Sequence, residues 1–284
     1  MAKPKSKFLK EGYVKYKKFL IRSISVFIAA PIVIACVWYG SVPFLILISA
    51  FAIVSINEFY WMMQKRGFKP AYFIGNFFTL FFIVFAFFAL KKNWEPAHSA
   101  ILTMAASVTL ISGLFLRRPK HVIVDVAATL FGMIYIGWFL SYLLFIRSLT
   151  EHGAFLFFLM ITIWANDSTA YLVGTLFGRH KLSPDISPKK SIEGSIAGLL
   201  VCIIAGIIFS QYIGMDILHA IMLGALVSIM AQVSDLVESL IKRDVGVKDS
   251  GHVIPGHGGL LDRIDSFILT APLMYYYVVW FVGK

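Results

Sequence analysis

Charge is scarce in this chain of 284 residues: Asp, Glu, Lys and Arg together make 14%, against 59% hydrophobic residues. Soluble domains carry about a quarter charged residues, so an ordinary water-soluble enzyme is excluded, as is a disordered chain, which needs low hydrophobicity. Cysteine is rarer still. Cys36 and Cys202 both lie in long apolar runs with no CxxC spacing, which excludes a disulfide scaffold, a zinc site and a redox motif and leaves them as packing residues. The 21 glycines and 10 prolines follow no triplet period, which excludes collagen. Acids are the last shortage, 15 against 26 basic residues, for a net charge of +11. In a soluble protein that balance would hint at nucleic acid; here it has first to be tested as a topology signal. The Lys-rich start lacks a short apolar stretch with a small-residue cleavage site, so it reads as a retained cytosolic segment and first helix, not a signal peptide.

What is present is apolar length. One bilayer-spanning helix needs roughly 20 apolar residues, and runs of that kind recur at 23–40, 43–63, 71–90, 99–116, 122–146, 154–177, 192–213, 217–241 and 264–282. None alternates strictly as a membrane barrel strand does, and each is long enough to satisfy its own backbone as a helix. The expectation is an all-α, polytopic membrane protein, a bundle of about nine transmembrane helices. With the N-terminus cytosolic, all of the 26 basic residues except Lys91, Lys92, Arg147 and Lys284 fall on the cytosolic side, the asymmetry that short loops obey; the C-terminus then lies outside. The chain divides into a basic cytosolic segment (1–22), helices one to five (23–146), and a catalytic region (147–284) holding helices six to nine and the cytosolic loops 178–191 and 242–263. Topology alone accounts for the polybasic segment, which could in addition rest on anionic lipid at about 1 kcal/mol per basic residue.

Ionisable groups are few in the first five helices and accumulate from Trp164 onward, on the expected cytosolic side. Acids at span ends are costly and mark function by default. Asp235, Glu238 and Lys242 follow a helical i, i+3, i+7 spacing and share one face, which read alone is equally a solvated, ion-paired helix end. Beyond Lys248, Asp249, Ser250 and Gly251 comes the turn Pro255-Gly256-His257-Gly258-Gly259, and then Asp262, Arg263 and Asp265 at the start of the last helix. Carboxylates from two helix ends, a glycine turn and several cations are the ingredients of a Mg²⁺-dependent phosphoryl or nucleotidyl transfer site: carboxylate oxygens suit Mg²⁺, glycines and helix N-termini admit phosphate, and Lys or Arg neutralise transferred charge. Upstream, Trp164, Asp167 or Ser168, and Tyr171 share a helix face. Gly174 and Gly178 form a small-xxx-small pair, most simply a helix-packing surface. Lys189 and Lys190 read alone are equally positive-inside charge, but with Ser187, Ser191 and the helix-starting Glu193 around them they make a loop suited to phosphate.

The stretch from Ser239 through Lys242-Arg243 and Lys248-Asp249-Ser-Gly to Ile254-Pro-Gly-His-Gly-Gly-Leu-Leu-Asp-Arg-Ile-Asp265 resembles the signature of the phosphatidate cytidylyltransferase, or CDP-diacylglycerol synthase, family at every fixed position. Residues 164–194 are similar to that family's second block, and the nine-helix layout is similar across the chain. Two positions depart: Ser234 stands where the family usually has Gly, and Ser191 where Thr is common. Both are small, so the departures touch only helix packing and phosphate contact.

The resemblance implies condensation of CTP with phosphatidic acid to give CDP-diacylglycerol and pyrophosphate, with Mg²⁺ and room for a second, monovalent cation. It implies Asp235, Asp262 and Asp265 as metal residues, Asp235, Lys248, Asp249, His257, Asp262 and Arg263 as the catalytic set, and Asp167, Ser187, Lys189, Lys190, Lys242, Arg243, Gly258 and Gly259 at substrate phosphates. A homodimer in a bacterial cytoplasmic (inner) membrane, with its site facing the cytosol and no nucleic-acid partner, completes the expectation. Two rivals differ in observable ways. A CTP-dependent lipid kinase of the polyprenol type would release CDP instead of pyrophosphate. An ion-coupled transporter would set its acids near the membrane midplane among internal repeats, whereas these acids cluster at one interface and no repeat is evident.

Overall fold

The computed structural model describes residues 27, 29–92, 97–115, 120–253 and 258–283. The apolar runs form helices α1 (Ala29–Tyr39), α2 (Ser41–Lys65), α3 (Tyr72–Lys92), α4 (Ala97–Ser112), α5 (Val122–Ser148), α6 (Ala154–Phe177), α7 (Ile192–Ile213), α8 (Ile217–Val245) and α9 (Leu261–Val282). In hydrocarbon a backbone has no water to bond, so each apolar run closes its own hydrogen bonds as a helix. Seven of these, all but α1 and α4, are long and apolar enough to cross a membrane. The chain is thus a multi-pass, nearly all-helical membrane protein. The expectation of a purely helical chain needs one amendment. Lys181–Ser183 (β1) and Ser187–Ser191 (β2) pair antiparallel, Lys181 opposite Ser191 and Ser183 opposite Ser187.

Contacts between helix ends sort the bundle into two ends. At one, Arg66 pairs with Asp244 at 3.3 Å and the Lys69 amide donates to Asp125 at 2.7 Å. At the other, His219 at the start of α8 meets the Tyr277 hydroxyl at 3.0 Å, and Arg147 binds the C-terminus of α1. Successive helices therefore run in opposite directions. The outward face of α7 presents Ile196, Leu200, Ile204 and Ile208, an apolar stripe suited to lipid.

Two kinds of packing fill the interior. In the first half of the chain, large side chains do it: Phe59, Tyr60, Phe82 and Ile83 are fully buried, and the Tyr60 hydroxyl donates to the Thr129 carbonyl at 2.9 Å. In the second half, α6, α7 and α8 approach through small residues. A Cβ on Gly174 would stand 2.9 Å from the Ser191 hydroxyl, and one on Gly194 would strike the Ala170 carbonyl. Gly174 is a helix-packing position, as its spacing implied, whereas Gly178 lies just past the end of α6 in extended backbone beside Ser191. Cys202 is buried against α6 and Cys36 half-buried, both as free thiols.

α5 contains a π turn, Met133–Trp138, which carries one residue more than an α turn and often accompanies a functional site. α8 runs past the end of its apolar run at Ile241 to Val245, and Gly246, at φ +77°, closes it with its amide on the carbonyls of Lys242 and Arg243.

Candidate active site

The carboxylates of α6, α8 and α9 come together at the Arg66–Asp244 end of the bundle. On α8, Asp235, Glu238 and Lys242 occupy one face, as their spacing requires. The Lys242 ammonium sits between two acids, ion-paired to Glu238 and bonded to Asp262 Oδ1 at 2.6 Å. Asp262 Oδ2 accepts from the Ser250 amide (3.0 Å), the Ser250 hydroxyl (3.0 Å) and the Gly259 amide (2.9 Å). Asp235 Oδ2 pairs with Lys190, delivered by β2, at 2.7 Å, while its Oδ1 accepts from Ser239 at 3.3 Å. Asp265 is buried, its Oδ1 taking the Ser266 amide at 2.7 Å. Asp235 lies within electrostatic reach of both Asp167 and Asp265, and Asp262 of Glu238.

Five carboxylates thus share a partly dry space with two ammonium groups, Lys190 and Lys242. Like charges in a low dielectric repel strongly, so the cluster favours further positive charge. Two buried polar atoms here stand without a hydrogen-bond partner among the described residues: Glu238 Oε1, whose sister oxygen meets Lys242, and the Tyr135 hydroxyl, carried by the π turn of α5. Tyr135 lies within electrostatic reach of Asp235, Glu238 and Asp265. An all-oxygen donor set with excess negative charge fits a hard divalent cation. Among the described residues no three acidic, histidine or cysteine side chains converge closely enough to hold a metal ion by themselves.

Below this cluster lies a neutral network. The Asn166 Oδ1 accepts from Ser228 at 2.8 Å and from Gln232 at 3.0 Å, and its Nδ2 donates to Asp167 at 3.1 Å. Gln232 also bonds Ser195, on α7. The network locks three helices in register and aims Asp167. Ser234, at a position the family usually gives to Gly, donates to the Asp265 carbonyl and accepts from the Leu269 amide at 3.3 Å, so it ties α8 to α9.

Other expected site residues stand apart. Lys189, Lys248 and Asp249 are exposed, and Ser187 is half-buried; among the described residues no side-chain hydrogen bond or ion pair holds any of these four. Arg243 donates to the Ile186 carbonyl at 3.2 Å and to the Val247 carbonyl at 3.0 Å, bracing the β-hairpin against the end of α8. His257 lies outside the described residues. Gly258, at φ +87°, makes the turn into α9 in the left-handed region that glycine favours. Arg263, next to Asp262, lines an apolar cavity of about 320 Å³ among α1, α2, α5, α6 and α9, together with Val33, Phe44, Leu143, Met160 and Phe267.

Sequence reasoning missed Glu58. Its carboxylate, on α2 and 6% exposed, reaches under the turn before α9 and accepts from the Leu260 amide (3.0 Å), the Leu261 amide (2.8 Å) and the Ser250 hydroxyl (3.2 Å). A Cβ on Gly259 would stand 2.7 Å from Glu58 Oε2, and one on Gly251 2.8 Å from its carboxyl carbon. These glycines therefore admit an internal carboxylate. The available signal was that Glu58 is the sole acid in the run 43–63.

The sequence matches the model of the Cytidylyltransferase family over residues 20–281. It is 32% identical over 262 residues to the phosphatidate cytidylyltransferase of Bacillus subtilis (strain 168), spanning 89% of this chain and 95% of the relative. It is 31% identical over 256 residues to that of Staphylococcus haemolyticus (89% and 96%) and 32% identical over 286 residues to that of a Synechocystis strain (90% and 94%).

Proposed function

Because this chain belongs to the cytidylyltransferase family, we propose that it condenses CTP with phosphatidate to give CDP-diacylglycerol and pyrophosphate, in the service of phospholipid synthesis. The observation that carries the reading is the junction at the start of α9. There Asp262 turns toward the carboxylate and lysine cluster, while its neighbour Arg263 lines an apolar cavity. A water-soluble triphosphate and a lipid phosphate have to meet at such a boundary between charged and greasy surroundings.

In the proposed reaction, a phosphate oxygen of the lipid attacks the α-phosphorus of CTP. The bond from that phosphorus to the bridging oxygen breaks, and pyrophosphate leaves with the bonding electrons. A phosphate monoester is already anionic at neutral pH, so no protein nucleophile and no strong base is needed. Rate then comes from positioning and from charge neutralisation. Asp235 and Asp262 would hold Mg²⁺, with Asp265 close behind them and Asp167 orienting. Held there, the ion would supply positive charge to offset that on the triphosphate and on the leaving pyrophosphate. Lys190, Lys242 and Arg263 would supply positive charge around the phosphates. The acyl chains would lie along the cavity of α1, α2, α5, α6 and α9, and Arg263 would grip the lipid phosphate at its mouth.

We assign the site to the cytosolic face of the cytoplasmic membrane, with all nine helices crossing and the N-terminus inside. The positive-inside asymmetry supports this orientation, and labelling of single cysteines from either side of sealed vesicles tests it. The reaction is tested with the purified chain, Mg²⁺, labelled CTP and phosphatidic acid: a lipid-extractable cytidine product and an equal amount of pyrophosphate are expected. Release of CDP, with phosphate transferred to lipid, would instead establish a lipid kinase, and a folded protein giving neither product would end the proposal.

A further inference from the structure

We infer that Glu58 is a positioning residue of the catalytic centre: from α2 it fixes the turn before α9 so that Asp262 offers one defined oxygen to the reaction. The inference rests on the role proposed above for Asp262 and adds a residue 204 positions earlier in the chain, in the half with few charges.

Glu58 is buried, and among the described residues no cation pairs with it. What satisfies it is the turn. The two backbone amides at the start of α9, Leu260 and Leu261, are of the kind left without intrahelical partners, and they point at one carboxylate, 3.0 and 2.8 Å away. Charge-assisted bonds of this type are about twice as strong as neutral ones, and a negative charge at a helix N-terminus is favoured further by the helix dipole.

The third donor links this anchor to the reaction. The Ser250 hydroxyl, fully buried, lies 3.2 Å from Glu58 Oε2 and 3.0 Å from Asp262 Oδ2. A serine hydroxyl has a single proton to give, so the two carboxylates share one donor. Asp262 Oδ2 also accepts from the Gly259 amide, in the turn that Glu58 holds, and from the amide of Ser250, whose hydroxyl Glu58 itself contacts. Every donor to Oδ2 thus depends on Glu58, directly or through the turn. Oδ1, facing Lys242, is the oxygen left for the reacting phosphates and their cation. Glu58 touches no substrate in this arrangement; it sets where Asp262 points. The two glycines that leave room for its carboxylate, Gly251 and Gly259, are the price of bringing it so close to the backbone.

The test uses the full-length chain with Glu58→Gln and Ser250→Ala. In Glu58→Gln one carboxylate oxygen becomes an NH₂ group, which opposes the amides it should accept from. Hydrogen exchange read without substrate or metal should speed at Leu260 and Leu261 and stay unchanged in α7. With substrates, kcat should fall about 10- to 100-fold, the usual cost of losing a partner behind a metal ligand. The Mg²⁺ concentration for half-maximal rate should rise, while KM for CTP and for phosphatidate stays within about twofold, because uniform binding is untouched. Ser250→Ala should give a weaker form of the same pattern, and the double variant should be no worse than Glu58→Gln, as coupled residues behave. Wild-type kcat and Mg²⁺ response in a folded Glu58→Gln protein, unchanged exchange at the two leucines, or additive losses in the double variant would each overturn the inference. If Glu58→Gln does not fold, Ser250→Ala decides: a normal Mg²⁺ response in that variant overturns it. A wild-type chain with no cytidylyl transfer would instead refute the proposed reaction, and the exchange measurement would still report on Glu58.

Discussion

The two ends of the bundle handle charge in opposite ways. At one end Arg147 closes α5 and spends its guanidinium on backbone carbonyls: Val37, Trp38 (2.8 Å), Thr150 (3.3 Å) and Glu151 (2.9 Å). Gly40 and Gly153 leave room for it, and Trp38 stacks on His152 at 4.6 Å. That cation is saturated by neutral partners, so it serves to fasten α1 to the loop before α6. At the opposite end five carboxylates share two lysines, and among the described residues Glu238 Oε1 lacks a hydrogen-bond donor. The comparison teaches that burial of charge does not by itself mark a reactive site. The mark is burial without full compensation.

Variants can break that contrast. The largest effect is expected from Lys242→Met, which strands Glu238 and Asp262 without their ammonium. Removing one partner of a buried pair costs about 3–5 kcal/mol, so thermal melting should shift sharply downward and activity should vanish. Adding Glu238→Gln should restore part of the stability and none of the activity. Next come Asp235→Asn and Asp262→Asn, each expected to lower kcat by about two to three orders of magnitude, as loss of a preorganised electrostatic partner does, with the protein still inserted and folded. Near-normal turnover in either would remove that residue from the centre. At the opposite end, Arg147→Met leaves several carbonyls unpaired and should cost about 2 kcal/mol of stability, read by melting in detergent, while kcat per folded molecule stays within about twofold; a large loss of kcat would erase the distinction between the ends. The smallest effect belongs to Arg66→Ala. Its pair with Asp244 has both side chains more than half exposed, and such pairs contribute at most about 1 kcal/mol, so stability and rate should both stay near wild type.

Local pattern and tertiary contact divided the labour of specifying this molecule. α6 and α7 begin and end where the apolar runs do, at 154–177 and 192–213, because glycine and polar residues bound them on both sides and lipid-facing backbone has no alternative to a helix. α8 outlasts its apolar run by a turn, because Lys242 is solvated by acids of the protein instead of by water, and Gly246 ends the helix. α9 starts earlier than its hydropathy, at Leu261 and not Ile264, because a carboxylate distant in sequence caps its first amides. That the end of α8 meets the start of α9, where Lys242 bonds Asp262, could be read from spacing. The β-hairpin that carries Lys190 could not: its strands are too short for alternation to register, and Arg243 braces it from another element. Nor could the Asn166 network or the grip of Glu58, since both join residues separated by tens to hundreds of positions.

The Glu58 contact also constrains how the protein is made. Its partners Leu260 and Leu261 follow it by 202 and 203 residues. At about 5–20 residues per second, the ribosome needs on the order of 10–40 s to deliver them. Throughout that interval α2 carries an unpaired carboxylate, a costly passenger in a bilayer. α9, made long after α2, relieves it, so the contact that sets the start of α9 is also the one that makes the first half of the chain comfortable in its membrane.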